Sequence, residues 1–448
     1  MDIFIQASQF LLSLSLLIVL HEFGHFIPAK LFNTRVEKFY LFFDPYFSLF
    51  KKKIGGTEYG IGWLPLGGYV KISGMVDESM DKEQLKEEPK PWEFRSKPAW
   101  QRLIIMVGGV TVNVILAIII YAGMMMYYGE NVLPLEGIKD GLMVDDNGKA
   151  IGLQDGDLVI AVDGEKIEHF SEIPKEIVLG DTISVLRAGK IIDLSLTDDH
   201  KKLLIKDQTP IVGLRYPYIV GAFTDTSVAE PAGLMVGDSI VSFNGNTIKY
   251  YDQYLDSIPK YAGRELSFGL YRAGDFQTVS MMVPKHGKIG VYPGGKSPAS
   301  YYPVENIKYG FFASIPAGLS KASSVLKDYI RQFKLIFNPD TDAYKQVGGF
   351  IAIGSQFDTV WNWERFWGFT AFLSIMLAFL NILPIPALDG GHVVFVLWEM
   401  VSGRKPSDKV LEYAQVAGFV ILLSLIVLAN GNDILKLFNW LNGFWHPL

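Results

Sequence analysis

Two histidines and a glutamate stand at the end of an apolar run near the N-terminus, in LIVLHEFGHFIPAK at residues 17–30. His21 and His25 are four residues apart, so on a helix they share one face and can bind the same ion. Glu22 lies beside them as a potential general base. Ionisable side chains are costly at membrane depth, which favours a functional site over two histidines at the headgroup boundary.

A catalytic zinc site usually has three protein ligands and a water molecule, so a third ligand is required. The pattern with a third histidine fails, because Leu31 stands six residues after His25. Glu37 lies beyond Pro28, which disfavours a continuous helix, and is a weak candidate.

Asp389, in NILPIPALDGGH at residues 381–392, is the better candidate for the third ligand. Pro384 and Pro386 end the preceding apolar helix. The two glycines after Asp389 allow a tight turn that can aim the carboxylate at the ion. A carboxylate that only caps the exit of the chain from the membrane is the alternative.

Composition indicates an integral membrane protein. The chain has 448 residues, 49% of them hydrophobic, and a formal net charge of −6. It has no basic excess to indicate a nucleic-acid partner, and it has no cysteine, so only His, Asp or Glu can bind a metal. Four stretches are long and apolar enough to form transmembrane helices: 3–25, 103–128, 366–386 and 413–430.

Basic residues near the spans predict the topology. Lys51–Lys53 and Arg102 place residues 30–102 inside the cell, and the intervening 129–365 segment then lies outside together with the N-terminus. The first and third spans run in the same direction and end near the cytoplasmic side. His21 and Asp389 are therefore expected at similar depth.

The external segment contains a repeat. IGLQDGDLVIAVDGEKI (151–167) aligns with AGLMVGDSIVSFNGNTI (232–248) at an offset of 81 residues, and LRAGK and YRAGD follow the two copies. Asp-Gly and Asn-Gly pairs mark tight turns between short strands, so each copy is expected to be a small, mostly β module. The pattern resembles the PDZ domain; two unrelated hairpins are the alternative.

The expected architecture is an α-helical membrane protein with four transmembrane helices and two PDZ modules inserted between the second and third. Residues 303–338 are expected to form an amphipathic helix that lies on the membrane or braces the modules. The predicted divisions are an N-terminal membrane half (1–128), PDZ modules (129–212 and 213–285), a helical region (286–365) and a C-terminal membrane half with an amphipathic end (366–448).

These motifs together resemble the site-2 protease family of intramembrane zinc metalloproteases, in its bacterial regulator-of-sigma-E protease branch. The resemblance implies that His21, His25 and Asp389 bind Zn²⁺ and that Glu22 is the catalytic base. It also implies that Asn381, Pro384 and Pro386 belong to a third-span motif whose asparagine helps to hold the substrate.

Two positions depart from the family pattern. GGVTVN has Gly109-Val110 where the family often has Gly-Pro before Asn113, and VGGFIAIG has Gly349-Phe350 where a second Gly-Pro is usual. Asn113 is therefore a candidate substrate contact for which structural packing between helices is an equal alternative.

The Gly-rich segment 54–75 is expected to form a membrane-associated β-hairpin between the first two spans. Such a hairpin could pair with an unwound substrate by strand addition, with Gly67 and Gly68 leaving room for its backbone. An ordinary cytoplasmic hairpin is the alternative.

The resulting expectation is a protease of the bacterial inner membrane that cuts single-pass membrane proteins within the lipid bilayer. Its substrates would be an anti-sigma factor already shortened outside, or remnant signal peptides. A membrane-tethered PDZ scaffold and a zinc enzyme acting on lipids are the rival hypotheses.

Overall fold

The four apolar stretches form long helices in a computed structural model of the chain, which describes residues 2–65, 67–75, 88–207 and 210–445. With helices and strands numbered in chain order, they are α1 (Asp2–Leu31), α2 (Ala99–Tyr127), α9 (Trp363–Ile382) and α11 (Asp408–Trp445). Each is long and apolar enough to cross a membrane, as predicted. α9 ends at Ile382, before the expected residue 386, because Pro384 disfavours helical geometry at the residue that precedes it.

A four-stranded sheet follows α1, in the order β2-β3-β1-β4. Its strands are β1 (Val36–Leu41), β2 (Phe43–Ile54), β3 (Thr57–Leu64) and β4 (Tyr69–Ile72). The prediction of one hairpin over 54–75 is therefore wrong in its pairing. The hairpin is β2-β3, which turns at Gly55 and Gly56, both with positive φ. After Pro65 the chain crosses to the opposite edge and β4 pairs with β1; Leu66 lies outside the described residues.

This sheet is fixed to the membrane helices by a small apolar core. Val36 on β1 and Ile72 on β4 pack with Ala29 on α1 and with Ile105 and Met106 on α2. The packing places the free edge of β4 beside the membrane helices.

Residues 130–307 and 335–343 form a separate compact unit. Its first module contains β7 (Leu158–Val162), β8 (Glu165–Lys166), β9 (Thr182–Arg187) and β10 (Lys190–Ser195), in the order β10-β9-β7-β8. Its second contains β13 (Ser239–Phe243), β14 (Asn246–Thr247), β15 (Glu265–Arg272) and β16 (Asp275–Met282), in the order β16-β15-β13-β14. The sequence repeat is thus also a structural repeat.

Further short elements complete the modules. Those of the first module are β6 (Leu142–Val144), α3 (Asp146–Ala150), α4 (Ile173–Leu179), α5 (Asp198–Asp207) and β11 (Val212–Leu214). Those of the second are β12 (Val220–Phe223), α6 (Tyr251–Ser257) and β17 (Val291–Pro293). Ile289 belongs to the core of the second module, and β17 pairs with β12, so its ordered elements continue beyond residue 285.

The segment after the modules begins with a strand and continues as a helix. β18 (Glu305–Ile307) pairs with β5 (Glu130–Val132), so the helix predicted over 303–338 is shorter, forming α7 (Phe311–Ile336). Tyr329 on α7 contacts Phe372 and Phe379 on α9, and Gly318 packs on Ala122 of α2. In this structure α7 therefore braces the membrane helices. The remaining helices are α8 (Phe350–Ser355) and α10 (Asp389–Ser402).

Each module contains, at the equivalent position, a buried aspartate that is paired with a partly exposed arginine. Arg272 donates two hydrogen bonds to the Asp238 carboxylate, at 2.7 and 2.6 Å, and Arg187 binds Asp157 at the same distances. Burial alone would raise the pKa of Asp238, but the Arg272 guanidinium and the Met235 N–H hold it below its ordinary 3.8. The stabilisation from this pair is complete above the ordinary pKa of aspartate, and it is lost as the pH falls through the lowered pKa of Asp238 in the folded protein.

Replacement of Arg272 by Met should measurably destabilise the second module, because the buried Asp238 carboxylate loses its cation. The double variant Arg272→Met/Asp238→Leu should recover much of that loss. Hydrogen exchange of the β13–β16 amides in the full chain measures both effects. Equal destabilisation by the single and double variants would show that the pair has no such role.

Candidate active site

Side chains from opposite ends of the chain meet in one cluster. His21 and His25 lie one turn apart on α1 and are buried, and Asp389 is the first residue of α10. The two histidine Nε2 atoms are 3.3 Å apart, and the Asp389 Oδ2 atom is 3.3 Å from each. The structure thus brings together the three ligands predicted from the sequence.

The spacing of these three atoms fits a zinc ion. Tetrahedral zinc with bonds of about 2.0–2.1 Å holds its ligand atoms about 3.3–3.4 Å from one another. The three observed separations of 3.3 Å match one face of such a tetrahedron. The Asp389 Oδ2 atom is also buried without a hydrogen-bond partner. A buried carboxylate oxygen in that state requires a cation.

His25 has the hydrogen bond that a metal ligand needs on its second nitrogen. Its Nδ1 lies 2.8 Å from the carbonyl oxygen of Ile105, which can only accept. Nδ1 therefore carries the proton, and the Nε2 lone pair is directed at the cluster. Carbonyl groups in this position commonly fix the tautomer of metal-bound histidines.

Glycines allow α2 to pass directly over the two histidines. A Cβ atom on Gly24 would collide with the Gly108 carbonyl, and one on Gly109 would collide with His25 Nε2 and come within 2.6 Å of His21 Cε1. The two helices therefore cross at backbone contact. Small residues at helix crossings permit this close approach within membranes.

Asp389 is placed by a tight turn after α9. The Ile385 N–H donates to the Leu383 carbonyl at 2.7 Å, and the Leu388 N–H donates to the Ile385 carbonyl at 3.0 Å. Ala387 has φ of 84°, a strained value for a residue with a side chain. Gly418 of α11 packs directly on the Pro386 carbonyl, so α11 supports the loop that presents Asp389.

Glu22 lies between the histidines and β4. Its carboxylate interacts with both histidines and with the backbone of Val70. Among the described residues, His21, His25 and Asp389 form the one group whose ligand atoms all lie within 4.8 Å of one another. This placement suits a base beside the site better than a fourth ligand.

Two further predicted residues border the cluster. The Asn381 Nδ2 atom is 3.4 Å from His21 Nε2. A Cβ atom on Gly68 would lie 2.5 Å from Ile18 Cγ2 and 3.6 Å from Glu22 Cγ, so the backbone here passes close to the base. Gly67 has φ of 153° and leads into β4.

The remaining candidate residues are not part of the group of possible metal ligands among the described residues. Glu37 accepts a hydrogen bond from Ser73 and pairs with Lys71, so it is engaged within the sheet. Asn113 is fully buried behind His21. Pro384 and Pro386 lie within the turn that precedes Asp389; Pro384 is exposed and Pro386 is partly buried.

Sequence reasoning missed the packing glycines. The Gly-Gly pair at 108–109 was a recognisable signal, because adjacent small residues in an apolar span predict a helix crossing. Gly418 gave no such signal, since its partner, Pro386, is 32 positions earlier in the chain.

The fold and site define a membrane-embedded zinc metalloendopeptidase. The chain matches peptidase family M50 over residues 9–425 and belongs to this family. Membership in a zinc-dependent family excludes the scaffold hypothesis, which requires no enzymatic activity.

Bacterial proteins are similar to this chain along nearly its whole length. The regulator of sigma E protease of Haemophilus influenzae is 27% identical over 96% of this chain and 98% of its own length. The regulator of sigma-E protease RseP of Salmonella typhimurium is 28% identical over 96% of this chain and 98% of its own length. A protein of Vibrio cholerae named as a zinc metalloprotease is 28% identical over 97% and 100%.

Replacement of Gly418 by Ala should lower both zinc occupancy and activity, because the new methyl group displaces the Pro386 carbonyl and with it Asp389. Gly431 on the same helix has open space around its Cα, so Gly431→Ala is a matched control that should behave as wild type. Zinc content after mild chelation is the measurement. Equal zinc retention by the two variants would contradict the support proposed for this loop.

Proposed function

We propose that this enzyme is a site-2 type intramembrane protease that cuts the transmembrane segments of single-pass membrane proteins. One observation carries the proposal: His21 and His25 lie within α1, a helix apolar enough to span the membrane, and Asp389 follows the end of another, α9. A site built into membrane helices suits peptide bonds that are themselves in the bilayer.

The chemistry is peptide hydrolysis. When bound, zinc supplies Lewis acidity, which lowers the pKa of water and polarises the scissile carbonyl. Glu22 takes the proton of the attacking water and transfers it to the leaving amine. Asn381, which borders His21, is placed to hold the substrate backbone.

The topology proposal follows from charge. Basic residues after α1 and before α2 favour a cytoplasmic sheet, with the N-terminus and the two modules on the other side of the inner membrane. The active site then lies near the cytoplasmic side. The modules are proposed to be PDZ domains, on the basis of their repeated sequence and sheet order.

The substrate class is inferred from the relatives. Two of them are named regulator of sigma E protease, which favours an anti-sigma factor, shortened outside the membrane, as a substrate of this enzyme. Remnant signal peptides are single spans without large external domains and fit the same site. The external modules would then exclude proteins that still carry bulky external parts.

We propose that β4 opens the substrate helix by strand addition. Backbone groups along a strand alternate between its two edges. The Ser73 N–H donates to the Arg35 carbonyl on the β1 side, at 2.9 Å. Val70, an odd number of residues away, therefore directs its N–H to the outer edge, where the N–H donates to the Glu22 carboxylate. Strand addition requires a substrate carbonyl to take the place of Glu22 at this N–H. An extended substrate paired with this edge has its peptide bonds beside the base.

Glu22→Gln should abolish cleavage while about one zinc ion per chain remains bound, because this side chain is a base and not a ligand. His21→Ala and Asp389→Ala should lose zinc as well as activity. The measurements are zinc content and cleavage of a single-span substrate in liposomes. Proteolysis that persists in Glu22→Gln would contradict the assignment.

Val70→Pro should slow cleavage of a stiff, Leu-rich span more than that of a span with Gly near the cleavage point, because the variant lacks the edge N–H and stiff helices unwind less readily. Proline is tolerated on a free strand edge. Val70→Ala keeps the N–H and is the control. Substitution of Gly68 is less informative, because any side chain there contacts Ile18.

The readout is the ratio of cleavage rates for the two substrates, with zinc content measured alongside. A misplaced Glu22 would slow both substrates equally. An unchanged ratio in Val70→Pro would therefore count against strand addition.

Removal of residues 133–304 should allow cleavage of substrates that still carry their external domains. Val132 and Glu305 are cross-strand partners, so an Asn-Gly turn can join them into a hairpin. Shortened substrates should be cut at the wild-type rate. If activity toward shortened and intact substrates fell by the same factor, the modules would have no screening role.

A further inference from the structure

Asn113 is the one predicted substrate contact that the structure places behind a metal ligand. It lies on α2, four residues after Gly109, and it is fully buried. Its Nδ2 atom is 3.1 Å from Nδ1 of His21. Its Oδ1 atom is buried and has no hydrogen-bond partner. An unpartnered amide oxygen beside a histidine ring requires an explanation.

The chemistry of His21 supplies that explanation. A histidine that binds zinc through Nε2 carries its proton on Nδ1, so its neighbour there must accept a hydrogen bond. The NH₂ group of an amide can only donate, whereas its oxygen accepts. A half-turn of the Asn113 amide exchanges these two groups without changing the shape of the side chain. Oδ1 then receives the His21 Nδ1–H.

The two histidines then have equivalent support. The main-chain carbonyl of Ile105 fixes the proton of His25 on Nδ1, and the side-chain carbonyl of Asn113 does the same for His21. Both Nε2 lone pairs are directed at the position between them and Asp389. Both supporting groups come from α2, which the glycine crossing holds against α1.

We propose that Asn113 is a positioning residue that holds His21 in its zinc-binding tautomer and orientation. The inference rests on the proposed zinc site at His21, His25 and Asp389. A substrate backbone has no access to Asn113, because the residue is buried and its main-chain carbonyl accepts a hydrogen bond from Ser374 of α9 at 2.8 Å. The residue acts through His21 and does not touch the substrate.

Three variants of the full-length protein test this role. Asn113→Leu keeps the number and branching of the side-chain heavy atoms and removes the acceptor. Asn113→Asp restores an acceptor of the same shape. Ser374→Ala removes a hydroxyl group that contacts Asn113 but lies on its main-chain side, and it is the packing control.

The zinc dissociation constant, measured by competition with a chelator, is the readout. Asn113→Leu should weaken zinc binding about 10- to 100-fold, the usual effect of losing a partner of a metal ligand. Asn113→Asp should bind zinc at least as tightly as wild type, and Ser374→Ala should resemble wild type. Thermal unfolding of the zinc-free proteins identifies any variant that is not folded.

Three outcomes would overturn the inference: wild-type zinc affinity in folded Asn113→Leu, equal weakening in folded Asn113→Leu and Asn113→Asp, or equal weakening in Asn113→Leu and Ser374→Ala. The last two would show that Asn113 acts through packing. Failure of wild-type protein to bind zinc is a separate result, because it would contradict the zinc site itself. If Asn113→Leu does not fold, the comparison of Asn113→Asp with wild type decides, and weakened binding by folded Asn113→Asp contradicts the proposal.

Discussion

The Asp389 Oδ2 atom lies 3.3 Å from two imidazole nitrogens and has no hydrogen-bond partner. The desolvation of a buried anion is unfavourable unless a cation compensates it. The chain has no cysteine to offer a different donor set. The cluster is therefore intelligible as a zinc site, and the surrounding elements can be understood by how they keep its three atoms at this spacing.

Close backbone contacts between helices support the three ligand residues. α2 reaches the histidines because Gly24, Gly108 and Gly109 leave no side chain at the crossing. α11 supports the turn before Asp389 through Gly418 in the same way. Within a membrane, helices gain little from hydrophobic burial, so packing at short range and hydrogen bonds must hold such a site. The polar contacts of His25 and His21 with α2 are of this kind.

Periodicity and motif spacing predicted the four long helices, the repeat and the groups that form the cluster. The histidine pair was recognisable because a helix fixes its geometry locally. The strand pairing of the first sheet was not recognisable from the sequence, because it depends on which strands meet in the folded chain: β2 with β3, and β4 with β1. Tertiary packing also determined that Asn113 faces His21, because sequence alone does not give the rotation of one membrane helix against another. The start of α7 depended similarly on pairing between β18 and the distant β5.

His21, His25 and Asp389 form the proposed catalytic zinc centre. Zinc K-edge X-ray absorption of the purified protein can test this centre, because the method reports the ligand atoms and their distances. We expect one zinc per chain with nitrogen and oxygen ligands at about 2.0–2.2 Å, two of them imidazoles. Asp389→Ala should lose this signal. Absence of zinc, or an unchanged spectrum in Asp389→Ala, would show that these residues do not form a zinc centre.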